Sequence, residues 1–162
     1  GDGLSGRDKA ELEHCTVSDS GGWGVDVCTG TLHAKHCRID RNGDANVSVF
    51  SGHAHLEHTT SHGSKKSGWG GSLSAVHSHA CGNAGEGACA SIGSLKLLHS
   101  TCHDNSIGWL AQGTSVQAEC SHAKGNRECN AMAAVNSCIT CTGTCDLGGQ
   151  AVQQSSLILL HP

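Results

Sequence analysis

Short runs in which every second residue is apolar recur along the chain. They read GWGVDV (Gly22–Val27), NVSV (Asn46–Val49), GGSL (Gly70–Leu73), CASI (Cys89–Ile92) and GWLA (Gly108–Ala111). A period of two, bounded by glycine, serine or asparagine, predicts short strands. The intervening SDSGG, DRNGD, HGSKKSG and HDNSIG predict turns. No window sustains a helical apolar stripe. ECNAMAAVNSC (Glu128–Cys138) has a helical composition, but it falls in phase with the strands and is read as another coil.

A second phrase keeps time with these strands. LEHCTV places Cys15, AKHCRI Cys37, LEHTTS Thr59 and SHACGN Cys81, at steps of 22 residues. LLHSTC then places Ser100, QAECSH Cys120 and VNSCIT Cys138, at steps of 19, 20 and 18. Short strands repeating without helices predict an all-β fold, a single-stranded parallel β-helix (solenoid) of about seven coils of 18–22 residues. One domain covers residues 1–162, with repeats over roughly 12–154 and a tail or partial coil at 155–162. The start at Gly1 rather than methionine suggests a processed piece or a fragment of a longer chain.

The paired phrases LEHCTV…GVDVCTG and AKHCRI…NVSVFSG follow the pattern L-x-x-C-x-V/I, then G-V-x-V-x-x-G. Over most of its length the chain resembles the right-handed parallel β-helix family, the pectin-lyase-like fold. That resemblance implies a stacked ladder of polar side chains inside one turn. It selects no activity, because the family includes polysaccharide lyases, galacturonases, epimerases and non-catalytic binding scaffolds.

In a solenoid each column of equivalent residues is one structural position, repeated about every 4.8 Å. The anchor column Cys15, Cys37, Thr59, Cys81, Ser100, Cys120, Cys138 is uniformly small and is expected to point inward. Disulfides between coils, such as Cys15–Cys37, are the rival reading, since the spacing permits them. The preceding column is His14, His36, His58, Ala80, His99. Its histidines are candidate ligands for a transition metal, although a straight row does not offer the tetrahedral set zinc requires. SCITCTGTC adds Cys138, Cys141 and Cys145 as a half-site, which Cys129 or His122 would have to complete.

Composition narrows the picture further. With 3 Trp, 1 Phe and no Tyr, the core must be thin and built from Val, Leu, Ile, Ala, Cys and Thr. Trp23, Trp69 and Trp109 follow their anchors by 8, 10 and 9 residues, as sugar-stacking platforms or as places that a neighbouring protein covers. The outward positions of the first strand read Asp26, Ser48, Ser72, Ala90, Ala111, with one carboxylate where glycoside chemistry ordinarily uses two. Asp19, Asp40, Asp44 and Asp104 sit in turns, and Arg38, Asp40 and Arg41, with His62 and His103 in the column of Asp40, form the best catalytic group. No nucleophile or phosphate-binding motif is present.

The net charge of −4 comes without a basic face, which argues against nucleic acid as a partner. No run approaches the ~18 apolar residues of a membrane helix. Asn46-Val47-Ser48 is a glycosylation sequon, relevant only on a secretory route. The sequence favours a non-catalytic scaffold or structural subunit of a larger assembly, with other protein subunits as partners and no cofactor. The alternatives are a carbohydrate-binding or polysaccharide-active β-helix, and a metal-binding solenoid using stacked His and Cys.

Overall fold

In the computed structural model the described residues are 3–6, 8–91, 93–134, 136–143 and 156–160. The chain forms β1 (Leu4–Gly6), β2 (Lys9–Glu13), β3 (Thr16–Ser18), β4 (Val25–Lys35), β5 (Arg38–Asp40), β6 (Val47–Glu57), β7 (Thr60–His62), β8 (Trp69–Val76) and β9 (His79–Cys81). It continues with β10 (Glu86–Ala90), β11 (Ser94–Leu98), β12 (Thr101–His103), β13 (Ile107–Gln112), β14 (Ser115–Glu119), β15 (His122–Lys124), β16 (Cys129–Ala134), β17 (Cys138–Thr142) and β18 (Ser156–Leu160). Every strand pairs in parallel with its equivalent one coil away, giving a 12-stranded and a 6-stranded sheet. The fold is therefore the expected parallel β-solenoid. The shorter sheet has one strand per coil and marks about six turns rather than seven. Within the Glu128–Cys138 segment, Cys129–Ala134 is strand, as its phase required.

Each coil has three faces. The long sheet supplies two, as one bent strand in β4 and β6 and as separate strands from β10 onward. The short sheet supplies the third. Alternate residues of each face point inward and stack in columns: Leu32, Ala54, Leu73, Leu95, Val116, Ile139 on one, and Val17, Ile39, Ser61, Ala80, Cys102, Ala123 on another. The column Val25, Val47, Trp69, Ala88, Trp109, Ala131 shows how the thin core accepts large rings. Trp69 and Trp109 are fully buried, with Ala88 between them making the room. Neither tryptophan is a surface platform, then; only Trp23 is exposed, at 38%.

Two different corners bend the coil. Between the long and short sheets stands a residue at positive φ followed by a small hydrogen-bond donor: His14–Cys15, His36–Cys37, His58–Thr59, His77–Ser78, His99–Ser100 and Cys120–Ser121. The coil steps are thus 22, 22, 19, 22 and 21 residues. Beyond Thr59 the anchor column therefore differs from the sequence expectation. Ser78 occupies it, not Cys81, and Ser121, not Cys120, while Cys138 lies in a strand opposite Ser115. In the neighbouring column His77 replaces Ala80.

The 19-residue step arises at the other corner, inside the long sheet. Val49 pairs with Gly71 and Ala54 with Leu73, so β8 is three residues shorter there. Gly71 takes φ +97°, and a Cβ on it would lie 1.9 Å from the carbonyl oxygen of Val49. Only glycine fits. The third turn is held by asparagine amides, buried at Asn42, Asn83 and Asn105 and partly buried at Asn126, each accepting a backbone N–H from the coil before: Ser20 to Asn42, Ser64 to Asn83, Asn83 to Asn105 and Asn105 to Asn126, all at 3.0 Å.

Candidate functional site

The histidine corner comes first, because the sequence singled it out. Positive φ turns the chain, and histidine tolerates that region better than β-branched residues. The next residue then faces inward and caps carbonyls. Thr59 Oγ1 donates to Glu57 O at 3.1 Å and Ala34 O at 3.2 Å, and the Cys37 thiol reaches Lys35 O at 3.2 Å. Cys15 and Cys37 are thiols in the same role as serine and threonine, not a disulfide. Burial pushes the Cys37 thiol up from its ordinary value.

His14, His36, His58, His77 and His99 stack face to face on the exposed side, with ring centroids 5.0–5.1 Å apart and planes within 10°. Ring nitrogens lie in the ring plane, so parallel rings aim them side by side rather than at a common point. Cys138 and Cys141 are three apart on β17, which sends them to opposite faces: Cys141 is buried and Cys138 partly exposed. Cys145 lies outside the described residues. Among the described residues, no three His, Cys, Asp or Glu side chains are gathered as metal ligands.

The predicted catalytic group is brought together in part. On the outer face of the short sheet, Ser18, Asp40, His62, Cys81, His103 and Lys124 form one column. His62 thus neighbours Asp40, as expected, and Cys81 separates His62 from His103. Asp40 is fully buried beneath two guanidinium groups: Arg38 reaches Oδ2 at 2.8 Å and Arg41 bonds the same oxygen. Asp40 Oδ1 has no hydrogen-bond partner among the described residues. Arg41 also pairs with Asp19 on the preceding coil at 2.8 Å, which holds the Asp19 carboxyl below its ordinary range. His62 Nδ1 donates to the carbonyl of Cys81 at 2.9 Å, and the Cys81 thiol is pushed up by burial, with Asp104 adding to the effect. Buried carboxylate, engaged imidazole and unactivated thiol together describe a clamp between coils.

Other acids are similarly engaged. Asp44 meets Lys66 at 2.8 Å and Glu57 meets Lys35 at 3.2 Å, both across one coil step. The outward column of the first strand is Asp26, Ser48, Gly70, Cys89, Leu110, Met132, which replaces Ser72, Ala90 and Ala111 of the sequence reading. Asn46 of the sequon is fully buried, its amide donating to Ser61 Oγ at 2.9 Å and His62 O at 3.1 Å, so the folded chain does not present it for glycosylation.

The second half of the long sheet carries a group that sequence reasoning missed. His33, His55, Ser74, Lys96, Gln117 and Thr140 make one outward column, with His53 and Ser72 beside it. His55 Nδ1 is 2.8 Å from Ser74 Oγ, and His53 Nε2 is 3.3 Å from the same oxygen. Burial lowers the pKa of His53, with His55, His33 and Lys96 adding to it. A depression of 440 Å³ begins at Ser74 and runs over Val76, Lys96, Leu98, Gln117 and Thr140.

No protein-family model matches the chain, and no curated protein matches its sequence. Among solved structures it is similar to the crystal structure of pectate lyase Pel9A, with a TM-score of 0.54 and 14% identity. The likeness covers 90% of this chain and 57% of that one, so the chain spans just over half the length of that enzyme. The two share the fold, a right-handed parallel β-helix.

Proposed function

We infer that the chain is a β-solenoid scaffold, a structural or interaction subunit whose walls meet other protein subunits. The observation that carries this is the use of its charged side chains. Arg41 ties Asp19 to Asp40, Lys66 ties Asp44 and Lys35 ties Glu57, each between neighbouring coils. Charges spent on holding coils together make a stiff, regular rod, and such repeated walls suit extended contacts. The test is cross-linking of the chain within its native assembly, mapped on Lys9, Lys35, Lys65, Lys66, Lys96 and Lys124. Cross-links to one partner confined to a single wall support the reading; a chain that is monomeric at native concentration and cross-links to nothing overturns it.

A carbohydrate-directed role is the second reading, favoured by the solved pectate lyase of like fold and by the wall depression. Its test is polyuronate binding and cleavage with and without calcium. Polyuronate binding or turnover by the folded chain that Gln117→Ala in the depression abolishes, with an unchanged melting curve, would replace the scaffold reading with this one.

A further inference from the structure

The Ser74 group is assembled by register alone. His55 faces Ser74 across β6 and β8, and Ser74 faces Lys96 across β8 and β11. The three-residue shortening of β8 also sets His53 against Ser72, where His53 Nδ1 lies 3.3 Å from Ser72 Oγ. A serine hydroxyl thus touches two imidazoles, one of them anchored by a second hydroxyl. A nucleophile and a base within hydrogen-bond reach, here Ser74 and His55, is the relation that activates serine, while the anchored imidazole, His53, holds the same hydroxyl in place. His33 stands behind His55, with ring centroids 5.8 Å apart.

We propose that Ser74 is an acyl-transfer nucleophile with His55 as its general base, acting on small carboxylic esters whose acyl chain lies along Val76 and Leu98. Ser74 Oγ attacks the ester carbonyl carbon while His55 Nδ1 takes the hydroxyl proton. Lys96, one rung along, supplies positive charge toward the carbonyl oxygen as it becomes an oxyanion. The bond to the leaving alcohol breaks and His55 returns the proton to that oxygen. Water, deprotonated by His55, then cleaves the acyl-serine, so that ester and water give acid and alcohol and the resting hydroxyl returns. His53 is a positioning residue: it bridges Ser72 and Ser74. Its lowered pKa keeps it neutral near pH 7 and suited to bridging two hydroxyls. The activity sits on a wall remote from the Asp40 clamp and does not depend on the scaffold reading.

The purified chain is treated with diisopropyl fluorophosphate and the adduct is located by peptide mass spectrometry, with p-nitrophenyl butyrate hydrolysis followed in parallel. Ser74 is expected to label roughly 100-fold faster than Ser51, an exposed serine on the neighbouring β6. Ser74→Ala should abolish hydrolysis, His55→Gln should lower kcat about 100-fold, and Lys96→Met should lower kcat with little change in KM. All three side chains point outward, and circular dichroism melts check that the fold persists. Equal labelling of Ser74 and Ser51, or hydrolysis that survives Ser74→Ala, overturns the proposal.

Discussion

The two corners of the long sheet solve the same problem in opposite ways. At the histidine corner every coil uses two residues, and at Cys37, Thr59, Ser78 and Ser100 the second hydrogen-bonds carbonyls of its own coil and of the coil before. At the glycine corner no such pair recurs from coil to coil, and the chain spans Val49 to Ala54 in one coil but only Gly71 to Leu73 in the next. A corner tied to its neighbours by side-chain donors cannot change length without orphaning buried groups. A corner without that repeated tie can, and the three-residue shortening appears there.

Substitutions at the two corners test this contrast. The largest effect is expected from Gly71→Ala, which drives a Cβ into the Val49 carbonyl at positive φ; a loss of roughly 3–5 kcal/mol, or failure to fold, should appear in chemical denaturation. Next is Thr59→Val, which keeps the shape and removes a buried donor, for a loss of about 1–3 kcal/mol in the same measurement; an equal loss from Thr59→Ser would break the comparison, because serine already serves at Ser78 and Ser100. His58→Val should cost roughly 1–2 kcal/mol through positive φ alone, whereas His58→Asn should be nearly silent if conformation rather than ring stacking sets the corner. The smallest effect belongs to Phe50→Ser. This ring is 67% exposed on the longer glycine corner, and melting should shift by no more than about 0.5 kcal/mol equivalent.

The fold was legible because the histidine corner writes its signature in two adjacent letters, repeated at almost constant spacing. The rhyme failed at the fourth coil, where Cys81 lies 22 residues after Thr59 and fits the period better than Ser78 does. The His-Ser pair in AVHS carried the correct signal, since serine and threonine can replace cysteine as a capping donor; the loss of three residues at the other corner hid it. Ser72 is misplaced for another reason, because Gly70 lies ahead of that loss and keeps the 22-residue step from Ser48. Trp69 and Trp109 were misread because a lone sequence does not show which small residue will lie above a large one. The Asp40 clamp was partly legible, with His62 placed correctly and the burial of Asp40 not. Ser74 lies 21 residues from His53 and 19 from His55, and only the register across the shortened coil brings it to them.

The alternation of Val47, Trp69, Ala88, Trp109 and Ala131 along one inner column has a consequence for how such a chain diverges. Volume is balanced between adjacent coils, not within one. A change of residue is therefore compensated up or down the rod axis, about one rung away, and seldom around the same turn. Drift of this kind erases the likeness of one repeat's first strand to the next while leaving the stack intact.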